Sequence, residues 1–181
     1  MKGIVFSEFN EMVEEVFSPE IADRIIEESD LPSEGAYTSV GTYDHAELVS
    51  MVIKLSEITH TPVPQLVQAF GKHLIPRFFD LYPGFFDSVT NTFDFLSTIE
   101  NHVHFEVLKL YPDAELPSFD VESQDDQKLV MTYSSGRPFA DLAEGLILGS
   151  CDHFNENIKV EREDLDGEPG THARFTLTRQ A

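Results

Sequence analysis

The sequence predicts an α+β fold: a helical N-terminal part, then a small antiparallel sheet of about four strands with an inserted helix. Three observations predict it. Up to about Tyr111 the apolar residues recur at spacings of three and four, beyond it short β-prone segments alternate with polar turns, and one apolar helical segment interrupts those. Val5, Phe9, Met12, Val13, Val16 and Phe17 form the first helical stripe, and Ile21, Ile25 and Ile26 continue it in a second helix. Ser18 caps that helix and Pro19 takes its first position. Pro32, Gly35 and Gly41 mark a loop over 31–43, after which Asp44 caps a helix carrying Leu48, Val49, Met51, Val52, Leu55 and Ile58.

Thr61-Pro62 opens a fourth helix with Val63, Leu66, Val67, Phe70, Leu74 and Phe78 inward. Gly71 and Pro76 interrupt its pattern and predict a bend or an end near Arg77. Tyr82-Pro83-Gly84 reads as a turn. A long helix follows over about 91–110, with Phe93, Leu96, Val103, Val107 and Leu110 inward, and it ends before Pro112. Segments 118–121 and 128–133 read as strands around a polar hairpin loop at 123–127. A helix over about 138–155 comes next. The last two strands, about 158–163 and 172–178, flank the turn Asp166-Gly167-Glu168-Pro169-Gly170.

At 181 residues with 41% apolar content, the chain is one ordinary domain or a pair of small ones with enough apolar surface for a core. Its 33 acidic against 12 basic residues give a formal net charge of -21, which repels nucleic acid and anionic membrane surfaces alike. A single cysteine, Cys151, excludes an internal disulfide framework and a cysteine-built zinc site, and fits a reducing compartment. The opening MKGIVFSEFNEMVEEV lacks the apolar core of a signal peptide, and no run is long enough for a membrane span. A cytoplasmic protein is expected. Phe is unusually frequent at 15 residues while Trp is absent, which suits either a core or a large apolar pocket.

Two clusters could carry chemistry. Asn101-His102-Val103-His104 lies on the long helix, where residues two apart point to roughly opposite sides, so the two imidazoles cannot ligate one metal together. His104 falls beside Val103, Val107 and Leu108 and is the inward one, either a hydrogen-bonded core residue or a ligand. At a strand end, Tyr133, Ser135 and Arg137 alternate onto one face, so that phenol, hydroxyl and guanidinium can hold a carboxylate or phosphate. An ordinary salt bridge would use the same arginine.

Together these features resemble a known family. His104, then Tyr111-Pro112, Leu116-Pro117 before a strand, Tyr133-x-Ser135-x-Arg137 before a helix, and Gly145-Leu146-Ile147-x-Gly149-Ser150 within it follow the pattern of the H-NOX (haem nitric oxide/oxygen-binding) domains. These occur as bacterial gas sensors and in soluble guanylate cyclase. The resemblance covers essentially the whole chain. It implies a single domain over 1–181, with 1–60 a helical subdomain and 61–181 holding the haem-ligating helices and the sheet, and haem b between the two parts.

It further implies that His104 is the proximal ligand of ferrous haem iron, that Tyr133, Ser135 and Arg137 bind the propionates, and that Pro117 presses the porphyrin out of plane. Oxygen-binding members supply a distal tyrosine with tryptophan and asparagine support. Here the matching positions hold Leu142, Phe9 and Leu74, none of which can donate a hydrogen bond. NO is therefore the expected ligand, with CO weaker and oxygen excluded. Val5, Phe78 and Leu146 are further candidate lining residues. By the same resemblance NO breaks the His104 link, the haem flattens against Pro117, and the helical part shifts against the rest. Because the chain stops after the last strand, output is expected in trans, through a sensor histidine kinase or a cyclic di-GMP enzyme, from a monomer that is not itself an enzyme. Three other readings compete. These are a cofactor-free acidic adaptor, a haem peroxidase, for which no distal acid–base pair is present, and thiol sensing through Cys151.

Overall fold

A computed structural model describes residues 1–86, 89–165 and 167–180. Seven α-helices and four strands are present among them: α1 (Gly3–Val16), α2 (Pro19–Glu27), α3 (His45–Thr59), α4 (Val63–Leu81), α5 (Thr92–Thr98), α6 (His104–Leu110), β1 (Ser118–Gln124), β2 (Lys128–Ser134), α7 (Ala140–His153), β3 (Ile158–Asp164) and β4 (His172–Arg179). The expected α+β class holds. The chain divides into two compact units, Met1–Phe70 and Gly71–Ala181, and the division falls within α4.

In the first unit most of the expected stripe residues are buried, Phe9, Met12 and Val13 of α1, Ile25 of α2, and Leu48, Met51, Val52 and Leu55 of α3, joined by Phe6 and Ala22, whereas Val16, expected in the first stripe, is 63% exposed at the end of α1. The caps form as expected. Ser18 accepts from the Ile21 N–H at 3.3 Å and Asp44 from the Ala46 N–H at 2.9 Å. The chain start is fixed to the loop before α3, because the Met1 ammonium donates to the Tyr43 carbonyl at 2.7 Å and Phe6 stacks on Tyr37. A Cβ on Gly3 would lie 1.9 Å from the Thr38 carbonyl oxygen, so no other residue fits there.

The second unit is built on an antiparallel sheet of order β1-β2-β4-β3. Alternation along β2 and β4 sends Leu129, Met131, Tyr133, Ala173, Phe175 and Leu177 into one core with Ala140, Ala143 and Ile147 of α7 and Phe93, Phe95 and Leu96 of α5. α4 crosses α7 at backbone contact distance: a Cβ on Gly149 would lie 2.9 Å from the Lys72 carbonyl oxygen, and one on Gly71 would lie 2.4 Å from that of Leu142.

Four further expectations need correction. Of the bend or end expected near Arg77, the end does not occur, because α4 runs through Pro76 to Leu81. The long helix over 91–110 is three pieces, because a π-helical turn, Ile99–Val103, separates α5 from α6. Leu110, expected inward, is 54% exposed, since α6 ends there with Phe105 and Leu108 also open to solvent. Tyr133 lies on β2, but Ser135 and Arg137 lie beyond the strand, in the turn before Pro138, so strand alternation is not what groups them. The turn expected at 166–170 includes Asp166, which lies outside the described residues.

Candidate functional site

His104 opens α6 directly after the π-helical turn, and its backbone N–H donates to the Ile99 carbonyl, five residues back rather than four. Such turns gather at functional sites because the extra residue re-aims the side chain that follows. The His104 side chain is 14% exposed, with Nδ1 3.1 Å from Glu100 Oε1. That contact leaves Nε2 for a ligand bond. Burial pushes the imidazole below its ordinary pKa, against the pull of the Glu100 charge and hydrogen bond, and so favours the neutral form that metals bind. His102 is also partly buried, and the structure gives it no comparable partner among the described residues.

A run of rings leads from His104 to the second cluster. Its ring centroid lies 6.1 Å from that of Phe119 on β1, and Phe119 lies 5.3 Å from Tyr133 on β2, to which it is register-paired. Tyr133 is buried. Burial raises its phenol above the ordinary pKa, opposed by hydrogen bonds from the Ser135 side chain and the Phe139 backbone and by the charge of Arg137. Ser135 Oγ in turn accepts from the Arg137 N–H at 3.0 Å. Tyr133, Ser135 and Arg137 are thus brought together by a side-chain-capped turn rather than by the pleat.

Arg137 carries a carboxylate of its own chain. Its guanidinium pairs with the Glu115 carboxylate and donates from Nη1 to the Glu115 carbonyl at 3.2 Å. Arg137 is 19% exposed and Glu115 is 80% exposed, so the carboxylate comes from the solvent side. The donor set therefore accepts the kind of group that a haem propionate presents. Pro117 lies in the segment between α6 and β1, partly buried.

The other candidate residues fall on three helices. Val5 and Phe9 lie on α1, where Phe9 is fully buried with its ring edge-on to Phe70 at 5.2 Å. Leu74, buried, and Phe78 lie on α4, while Leu142 and Leu146 lie on α7. Phe78 and Leu146 pack against the core of the second unit, which is the bland role their chemistry also allows.

Residues 2–162 match the family model described as Haem-NO-binding. The chain belongs to the haem-NO-binding (H-NOX) family. Comparison with curated protein sequences yields no significant match. Among solved structures, the Fe(II) unliganded H-NOX protein from K. algicida is 38% identical, with a TM-score of 0.93 over all of this chain and 97% of that one. An H-NOX from Shewanella woodyi in the Fe(II)CO state is 41% identical, with a TM-score of 0.84 over 99% of this chain and 95% of that one. An H-NOX protein from S. oneidensis in the Fe(II)NO state is 25% identical, with a TM-score of 0.91 over the whole of both chains. As an H-NOX domain the chain is a member of a haem-binding gas-sensor family, and its helix-then-sheet order is that of its relatives. Glu100 was absent from the candidate residues. Its signal was in the sequence all the same, as an acid four residues before the singled-out histidine.

Proposed function

We propose that this H-NOX chain is a single-domain haem b sensor of NO, with His104 as the only protein ligand to iron and Tyr133, Ser135 and Arg137 holding the propionates. The observation that carries the reading is the grouping of a largely buried imidazole, engaged by Glu100 through Nδ1, with an arginine two rings away that is already seated on a carboxylate. When bound, a ferrous haem held by His104 would supply a site for a diatomic gas, and release of His104 would be the signal. The chain supplies the rest. Burial keeps His104 neutral and able to donate its lone pair. Arg137 offers a bidentate fork to a propionate once the exposed Glu115 side chain swings away. Pro117, rigid in its backbone, is suited to press on the porphyrin.

Ligand choice follows from what the distal candidates lack. Phe9, Leu74 and Leu142 are hydrocarbon side chains at positions where oxygen-binding relatives supply donors, so bound oxygen gains no hydrogen bond from them. A charge-assisted hydrogen bond is worth about 1.5 to 3 kcal/mol, so its loss weakens oxygen by roughly one to two decades while barely touching NO. CO should bind more weakly than NO. No helix among the described residues is long and apolar enough to cross a membrane. A cytoplasmic monomer that reports to a sensor histidine kinase or a cyclic di-GMP enzyme in trans completes the reading.

The test is an absorption spectrum of the protein purified from haem-sufficient cells, reduced without air and exposed separately to NO and oxygen. The expected result is a five-coordinate ferrous band, a five-coordinate nitrosyl band with NO, and no stable oxygen complex. His104→Gly should hold haem only with added imidazole, whereas His102→Gly should be nearly silent. A colourless protein that takes up no added haem would leave the adaptor reading instead.

A further inference from the structure

Glu100 stands on the π-helical turn, and a single carboxylate oxygen serves two groups. Its Oε1 lies 3.1 Å from His104 Nδ1 and accepts the backbone N–H of Phe119 at 2.6 Å. Phe119 is on β1, an edge strand, so its outward N–H has no further strand to pair with among the described residues. The carboxylate therefore has a reason to be there that is independent of the histidine, and the two contacts fix each other. A second residue is tied in by sequence, because Pro117 lies two positions before Phe119.

We propose that Glu100 is a positioning residue for His104, holding the proton on Nδ1 so that Nε2 carries the lone pair, and strengthening that nitrogen as an electron donor. A carboxylate behind a ligating imidazole fixes both the tautomer and the ring orientation and raises ligand basicity. Because the same oxygen takes the Phe119 N–H, the ring cannot turn without disturbing the start of β1. Glu100 thereby sets how firmly the histidine holds and links its release to the segment carrying Pro117. This rests on the reading of His104 as the haem ligand.

The test is resonance Raman spectroscopy of the ferrous, haem-loaded full chain, with Glu100→Gln and Glu100→Ala beside the parent protein. The parent should show an iron–histidine stretching band that His104→Gly abolishes. In both Glu100 variants that band should move to lower wavenumber, and haem transfer to a scavenger protein should quicken by about tenfold or more. Glu100→Gln keeps the shape and an acceptor for the Phe119 N–H, so it separates the charge on His104 from the tether. Loss of hydrogen-exchange protection at Phe119 is expected only in Glu100→Ala. An iron–histidine band unmoved in Glu100→Gln overturns the proposal. Absence of any His104-dependent band in the parent overturns the ligand reading itself, a different failure.

Discussion

On the proposed reading, Arg137 is a side chain held in place before a propionate arrives. Its backbone N–H is held by Ser135 and its guanidinium by Glu115, so the fork is already oriented when an incoming carboxylate competes for it. Arg137→Ala should therefore raise the haem dissociation constant by about one to two decades, the worth of a charge-assisted bond, as measured by haem transfer to a scavenger. Glu115→Ala should not weaken binding. Cys151 argues the opposite way, towards inertness. It is buried on α7, and burial, with the charges of Asp152 and Glu156, pushes its thiol from the ordinary 9.0 up to about 11. The folded state then holds a proton that the unfolded state gives up earlier, so this site's stability is intact below pH 9 and is lost as the pH rises towards 11. A thiol reagent at pH 8 should label the native protein slowly and the denatured protein at once. Rapid native labelling would revive the thiol-sensor reading.

At the scale of elements, the helices whose ends carry chemistry were legible in the sequence. Ser18-Pro19 and Asp44 place the starts of α2 and α3 because a side-chain oxygen must meet an orphan N–H there. Strand alternation likewise exposed the sheet. The π-helical turn was not legible, since shifting one hydrogen bond from four to five residues leaves the apolar spacing almost unchanged over so short a stretch. Pro76 and Gly71 do not end α4, although both look like breakers locally, and Gly71 serves the close crossing of α4 and α7. Of the candidate site, the histidine and the Tyr-x-Ser-x-Arg group were legible as residue types. Their joining through Phe119 was not, because it depends on register between β1 and β2. Gly149 makes the crossing testable. Gly149→Ala would set a methyl 2.9 Å from the Lys72 carbonyl oxygen and should cost about 1 to 3 kcal/mol, read from the denaturation midpoint. An unchanged midpoint would mean that the helices can part without cost.

For the whole molecule the dominant quantity is charge. A formal net charge of -21 on 181 residues, with every lysine and arginine already counted, makes the compact state repel itself, and Arg162 gathers Asp141, Glu144 and Asp164 around one cation without changing that total. Screening reaches about 10 Å at 0.1 M salt, comparable to the spacing of surface charges. Raising sodium chloride from about 0.01 to about 0.1 M should therefore raise the melting temperature, as differential scanning calorimetry would show; a fall would mean that attractive pairs outweigh the repulsion. The strand order carries a related consequence. β1 and β3 are the outer strands, and an outer strand is a template on which a foreign strand can grow. Here β1 exposes Asp120 and Glu122 beside a register shift at Val121/Ser123, and β3 exposes Lys159, Glu161, Glu163 and Asp164. Both edges are thus charged rather than apolar, and the β1 edge is also uneven, two devices by which a sheet resists the addition of a foreign strand.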